Sequence, residues 1–211
     1  MTRICCISDT HTKHDKIVVP DCDILIHAGD ATFNGDGDEV MKFMTWLSWQ
    51  PAKHKIFIAG NHDWNWVHAN TAWRDCAKAM GLVYLQDSSV TIDGLKFYGS
   101  PWQPEFCNWA FNLPRGPQLA EKWAQIPDDT DVLITHGPPY GINDTVPGRS
   151  ERLGCRDLRN RVSQLDKLKL HVYGHIHGSG GKVFTGKHKS VNASVCDELY
   201  KPSNTVMVID I

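Results

Sequence analysis

Residues able to bind metal recur in five short clusters: Asp9-Thr10-His11, Gly29-Asp30, Gly60-Asn61-His62-Asp63, His136-Gly137 and Gly174-His175-Ile176-His177. Carboxylate, imidazole and amide oxygen are donors suited to Mn, Fe or Zn. Asp9, His11, Asp30, Asn61, His136, His175 and His177 together exceed what one such ion takes from protein. Two ions sharing one carboxylate would use them all. Asp30 is the natural bridge, because it stands alone on its loop and has two oxygens. Two cations roughly 3.5–4 Å apart stabilise the attacking and leaving oxygens of an in-line displacement at phosphorus. A water bridging them is acidified enough to act as hydroxide near neutral pH. Two divalent cations outweigh two aspartates and one hydroxide, so the site attracts a phosphate ester and stabilises its developing charge.

Each cluster follows an apolar run that reads as a strand. Ile4–Ser8, Asp23–Ala28 and Lys55–Ala59 are continuous enough to be buried on both faces. Between the second and third, Val40, Phe43, Met44 and Leu47 share one helical face within Asp38–Trp49. Asn70–Met80 predicts a second helix closed by Gly81. Strand and helix in alternation imply parallel pairing. The pattern then changes. Val90–Ile92 and Leu95–Tyr98 flank Asp93-Gly94, which predicts a type I′ hairpin. Gln118–Gln125 and Asp157–Leu165 predict helices, and Val132–Thr135 and His171–Tyr173 predict strands. Lys182–Thr185, Ser190–Val195 and Thr205–Ile211 read as antiparallel strands. The expectation is an α/β chain of two packed sheets with helices outside. The clusters then meet at the carboxyl ends of the strands, where open α/β sheets bind ligands.

The bulk numbers are compatible with this. A chain of 211 residues suits one domain spanning 1–211. Hydrophobic residues at 41% and charged residues at 22% are ordinary for a globular protein. A net charge of -2 gives no field that would draw nucleic acid or an anionic membrane. The seven cysteines are odd in number and none forms a C-x-x-C pair, which predicts buried, reduced thiols and a cytoplasmic protein. The amino terminus enters a strand directly and does not read as a signal peptide. No run approaches the roughly 18 apolar residues of a membrane span.

Taken together, the ordered motifs resemble the calcineurin-like metallophosphoesterase superfamily over essentially the whole chain. Four further segments are similar to the animal brain metallophosphoesterase-domain-containing proteins: Pro101-Trp102-Gln103-Pro104, Asn108 to Gly116, Thr135 to Pro139, and Asn192-Ala193-Ser194. The resemblance implies a four-layer α/β sandwich, two mixed β-sheets flanked by helices, with the metal site at the C-terminal strand edge. It implies one metal on Asp9, His11, Asp30 and His177, and another on Asp30, Asn61, His136 and His175. Manganese is the first expectation, with iron, zinc or magnesium as alternatives. It also implies that His62 contacts the phosphate and protonates the leaving alkoxide. The brain proteins often have Gly where this chain has His175, so a more complete site is expected here. Gly29-Asp30-Ala31-Thr32-Phe33-Asn34-Gly35 lacks the second Asp and the Arg that protein phosphatases of the superfamily carry. The pattern is nearer to its class III cyclic-nucleotide phosphodiesterases.

Asp30 and His62 are therefore the candidate catalytic residues, and Asn61, His62, Trp64 and Phe106 the candidate substrate contacts. Asp63 is read as an orienting residue. Most other aromatic residues near these loops, Trp66, Trp102, Trp109 and Phe111 among them, are read as core. Arg149 and Arg152 are read as solvated, although either could meet a phosphate. The Gly181–Lys187 segment has P-loop spacing, but His188 replaces the required hydroxyl and a hairpin turn accounts for it better. The expected activity is hydrolysis of a small phosphodiester or nucleotide, cyclic forms favoured. A phosphomonoesterase or nuclease on the same site is the alternative within enzymes. A metal-stabilised protein-binding module without activity is the alternative outside them. No membrane partner and no extended nucleic acid are expected.

Overall fold

The computed structural model describes residues 1–211. The elements follow in the order β1 (Arg3–Ile7), β2 (Ile24–Ala28), α1 (Gly37–Ser48), β3 (His54–Ile58), α2 (Asn65–His68), α3 (Asn70–Ala79), β4 (Val83–Tyr84), β5 (Ser88–Ile92), β6 (Leu95–Ser100), β7 (Gln103–Pro104), β8 (Asn112–Leu113), α4 (Pro117–Ala124), β9 (Val132–Thr135), α5 (Arg156–Gln164), β10 (Leu170–Tyr173), β11 (Lys182–Thr185), β12 (Lys189–Asn192) and β13 (Met207–Asp210).

Two mixed sheets pack face to face. The first has the order β13-β1-β2-β3-β4, the second β11-β12-β10-β9-β6-β5. Ile4, Cys6, Ile24, Ile26, Ile56 and Ile58 from the first interleave with Phe97, Val132, Ile134, Leu170, Val172 and Val191 from the second. The alternate residues of the same strands face outward. Cys5, Ile7, Leu25 and Phe57 meet Val40, Phe43, Met44 and Leu47 of α1. Tyr98 and Leu133 meet Leu119 and Trp123 of α4 and Leu158 and Val162 of α5. Burial on both faces explains why these strands read as unbroken apolar runs. Each fully buried large side chain contributes roughly 1.5–3 kcal/mol.

Local signals set the ends of the elements. Asp36 caps α1 by accepting the Glu39 N–H at 2.9 Å, and Glu39 reaches back to the N–H groups of Phe33, Asn34 and Gly35 at 2.8–3.1 Å. At the β5–β6 turn Asp93 and Gly94 both have positive φ, 49° and 80°, as a type I′ turn requires. The β11–β12 pair is antiparallel, so the segment with P-loop spacing is a hairpin.

The reading of the tail as antiparallel is corrected in part. Strand β12 runs parallel to β10, with His171 beside Ser190, while β13 crosses to the other sheet and pairs antiparallel with β1. All seven cysteines are free. Burial pushes the Cys5 and Cys196 thiols up to about 12, so both are protonated and inert. No helix is long and apolar enough to cross a membrane.

Candidate metal centre

Strands β1, β2 and β3 are adjacent and parallel, and so are β9 and β10. Their carboxyl ends therefore deliver successive loops to one edge of the sandwich. Asp9 and His11 follow β1, Asp30 follows β2, and Asn61 and His62 follow β3. His136 follows β9, and His175 and His177 follow β10. Asp9, His11, Asp30 and His175 all have positive φ, between 41° and 67°. Non-glycine residues rarely sit there, and such strain collects at functional sites. Close approach of backbone excludes side chains beside them. A Cβ on Gly174 would collide with the Asp9 carboxylate and the Ser8 hydroxyl, and one on Gly60 with Asp30 and the His136 ring.

The donor atoms converge in three overlapping groups, each within 4.8 Å: Asp9, His11 and His177; His11, Asp30 and His62; Asp30, His136 and His175. Asn61 joins the last, its Oδ1 lying 3.0 Å from His136 Nε2. Asp30 Oδ2 faces His136 Nε2 at 3.4 Å and His11 Nε2 at 3.8 Å, so it stands between the two halves.

Backbone carbonyls fix the tautomers. Nδ1 of His11 donates to Thr32 O at 3.2 Å, that of His136 to Ala28 O at 2.9 Å, and that of His177 to Asp197 O at 3.0 Å. A carbonyl only accepts, so each Nδ1 carries a proton and each Nε2 is the atom turned to the centre, able to ligate once it is free of its own proton. His11 Nε2 and His177 Nε2 then face each other at 3.2 Å, a contact that needs a proton or a cation between them. His136 Nε2 faces Asn61 Oδ1 at 3.0 Å under the same requirement. Buried acceptors brought together like this are repulsive unless a proton or a cation lies among them, and a divalent cation can replace the protons. The donor set therefore fits divalent metal.

Electrostatics agree. Burial pushes the Asp9 carboxyl up, but the His177 hydrogen bond and charge, helped by His136 and His11, hold it well below the usual carboxylate range. For Asp30, burial is likewise outweighed by His136 and His11, and its pKa is lowered. Burial drives His11 down to about 4 and His175 to about 3, so both are neutral and able to coordinate. His136 goes the other way. Burial opposes its charge, yet Asp30 beside it carries it up to about 9, the mark of a negative pocket that seeks positive charge.

Supporting residues hold these positions. Asp63 accepts from the N–H groups of Asp30, Ala31, Thr32 and Gly60 at 2.8–3.4 Å, and from the Thr32 hydroxyl at 2.6 Å. It ties the Asp30 loop to the Asn61 loop, the orienting role expected of it. Burial and Asp30 push its pKa up to about 6, against those donors. Ser194 Oγ donates to Asp9 Oδ2 at 2.8 Å, and Asn192 Nδ2 to Ile176 O at 3.0 Å.

A cavity of about 470 Å³ opens over the donors. His62 lines it, with Nδ1 donating to Phe33 O at 2.7 Å and Trp109 across its ring at 4.3 Å. Phe106 also lines it, its edge packed on His175 at 5.1 Å. Trp64 does not. It starts α2 on the far side of the Asp63 turn and lies parallel to His68, against the α1 side of the core. Trp109 takes the place on the cavity expected of Trp64 and leaves the core role read for it. Arg149 lines the cavity, whereas Arg152 is paired with Asp144 at 2.8 Å. Sequence reasoning missed Arg115, which lines the outer wall, and Tyr200, whose ring stands over His11 at 4.8 Å and His177 at 5.4 Å. No local pattern marks either one. A larger groove of about 600 Å³ lies between α4 and α5, far from these donors, and its Arg161 is occupied by Asp128.

This fold is that of a known class. The calcineurin-like phosphoesterase family matches residues 2–179, and the chain belongs to that family. Among individual proteins, it is similar to human metallophosphoesterase domain-containing protein 1, 44% identical over 237 aligned residues that cover all of this chain and 71% of the relative. It is more distantly similar to a 3′,5′-cyclic-nucleotide phosphodiesterase of Nostoc sp., 21% identical over 90% of this chain and 68% of that protein. The crystal structure of TT1561 of Thermus thermophilus superposes with a TM-score of 0.61 at 14% identity, covering 91% of this chain and 88% of the other, and shows the shared fold.

Proposed function

We propose that this chain is a dinuclear metal-dependent phosphodiesterase of the cytoplasm that hydrolyses small phosphodiesters, cyclic nucleotides foremost, with manganese as its first metal. The observation that carries the reading is the full set of seven converging donors beneath a cavity of about 470 Å³. That volume suits a nucleotide-sized ligand. Held by Asp9, His11, Asp30 and His177 on one side and Asp30, Asn61, His136 and His175 on the other, two divalent cations would supply Lewis acidity at the phosphoryl oxygens and an acidified water.

The chain's own groups do the rest. Asp30 is positioned by the His62 N–H on its Oδ1 at 2.8 Å, which leaves Oδ2 to face His11 and His136. His62 keeps its Nδ1 proton on the Phe33 carbonyl and presents Nε2 to the cavity. A proton taken up at Nε2 is delivered to the leaving alkoxide, with Trp109 holding the ring plane. Phe106 offers an aromatic face for a base, worth roughly 1–3 kcal/mol if stacked. A net charge of -2 disfavours a nuclease, which needs a basic track.

The test is a panel of 2′,3′- and 3′,5′-cyclic nucleotides, bis(p-nitrophenyl) phosphate and monoesters, with Mn²⁺, Fe²⁺, Zn²⁺ and Mg²⁺ in separate assays. Diester cleavage that Asp30→Ala abolishes is expected. A metal-loaded chain inert toward every ester would point instead to a binding module.

A further inference from the structure

The part of the cavity lining that lies outside the donor groups has a chemistry of its own. Arg115 and Arg149 both belong to it. Arg3, Arg152 and Arg161 are ion-paired, but neither cavity arginine has a carboxylate partner. Arg115 is held in place all the same. Its terminal nitrogens donate to Gly154 O and Leu153 O, each at 2.8 Å. Two of its five N–H donors are so used, and the fixed guanidinium keeps the others for a ligand. Arg149 follows a turn closed by its N–H on Val146 O at 3.0 Å, and its guanidinium makes no hydrogen bond within the chain. Val146 and Leu153 line the same wall.

Glu105 and Glu198 also face the cavity, so the mouth as a whole is not an anion trap. Glu198 follows Asp197, whose carbonyl holds His177, and belongs to the floor side. Glu105 is tied to the β7–β8 ribbon through its N–H on Leu113 O at 2.9 Å. Two unpaired arginines beside two carboxylates recruit an anion poorly from solution. They bind one well when the rest of the ligand is already anchored at the floor, because the second contact is then intramolecular.

We propose, resting on the phosphodiesterase reading, that the substrate carries a second anionic group remote from its scissile phosphodiester, and that Arg115 and Arg149 bind it. A nucleoside cyclic phosphate bearing a terminal phosphate monoester at its other end belongs to this class. The scissile group lies at the Asp and His donors, the nucleoside beside Phe106 and Trp109, and the remote phosphate at the arginines. This makes the two arginines specificity residues: they select among diesters and take no part in the bond cleavage.

The experiment compares adenosine 2′,3′-cyclic phosphate with its 5′-phosphorylated form, using the full Mn²⁺-loaded chain and its Arg149→Gln variant. Arg149 has no side-chain hydrogen bond in the fold, so this variant tests the wall without removing a structural contact. The 5′-phosphate is expected to lower KM roughly tenfold in the parent chain, the size of one charge-assisted hydrogen bond. Arg149→Gln should erase that advantage. A parallel reading is equilibrium binding of adenosine 3′,5′-bisphosphate against adenosine 3′-monophosphate, where the bisphosphate should bind roughly tenfold tighter and lose that margin in the variant. Equal KM and equal binding for the two members of each pair, or a margin that survives Arg149→Gln, overturns the proposal. Should the parent chain cleave no diester, the phosphodiesterase reading fails, and the binding comparison alone decides the arginine wall.

Discussion

His11 and His177 lie with their Nε2 atoms 3.2 Å apart, while the Nδ1 proton of each ring is donated to a backbone carbonyl. Two ring nitrogens are thus held against each other in a buried setting by the fold, where a proton or a cation must lie between them. The native state alone maintains this arrangement, so a cation that relieves it must stabilise the fold. Saturating Mn²⁺ at about a hundred times its Kd should add about 2.7 kcal/mol to the unfolding free energy. For a domain of this size that raises Tm by roughly 2–4 °C per kcal/mol. Thermal unfolding with chelator and with Mn²⁺ measures it, and His177→Ala should shrink the difference. Identical melting in both conditions contradicts the reading.

Ser194 reaches Asp9 from the far end of the sequence. Its hydroxyl donates to Asp9 Oδ2, and the His175 N–H donates to both Asp9 oxygens at 2.9 and 3.1 Å. Removing the hydroxyl leaves the carboxylate less well oriented. Ser194→Ala should weaken metal affinity by roughly 10–100-fold, the usual cost of losing such a partner. Metal titration followed by calorimetry reads this directly, and parent-like affinity would contradict it.

Asp63 is surrounded by donors only. In Asp63→Asn the amide nitrogen must face at least one of the N–H groups that now meet an oxygen. A buried mismatch of this kind costs roughly 1–3 kcal/mol. Urea unfolding of the variant should show that loss, together with reduced phosphoesterase activity, since both the Asp30 and Asn61 loops hang from this carboxylate.

Acid should destabilise the protein through His27. The ring is buried, accepts the Gly29 N–H at Nδ1 and meets the Thr10 hydroxyl at Nε2, so it is held neutral, and burial pushes it down to about 3. The unfolded chain protonates this residue near pH 6.5, whereas the native state resists until about pH 3. Native stability is therefore full above about 6.5 and falls as the pH drops toward 3, by up to about 1.4 kcal/mol per unit for this one group. Burial lowers His171 in the same sense. In unfolding titrations between about pH 4 and 6, His27→Gln should show a shallower slope than the parent chain. Equal slopes would remove His27 from the account.

The floor of the site was legible in the sequence because each donor cluster sits at the end of a strand buried on both faces, and such strands announce themselves as apolar runs. The Asp93-Gly94 hairpin was legible because its backbone requires positive φ at both residues. Pairing in the tail was not legible, although that of the first three strands and of the β5–β6 hairpin was. An apolar run shows that β12 is a strand, but nothing local says that it lies parallel to β10. The two-residue strands β4, β7 and β8 are too short to leave a period. The walls were the least legible part. Trp64 and Trp109 look alike in sequence, and only the turn at Asp63 sends one into the core and leaves the other over His62. Tyr200 reaches the site through a turn at Asp197, whose carboxylate accepts from Leu199 N, Lys201 N and Ser203 Oγ at 2.8–2.9 Å, with Tyr200 itself at φ 56°. That placement depends on tertiary hydrogen bonds and leaves no composition signal.

The most direct test is the metal content and position in crystals of the Mn²⁺-loaded protein, read by anomalous scattering. Two cations per chain are expected, one among Asp9, His11 and His177 and the other among Asn61, His136 and His175, with Asp30 between them. A single cation, or none at these side chains, would contradict the dinuclear centre.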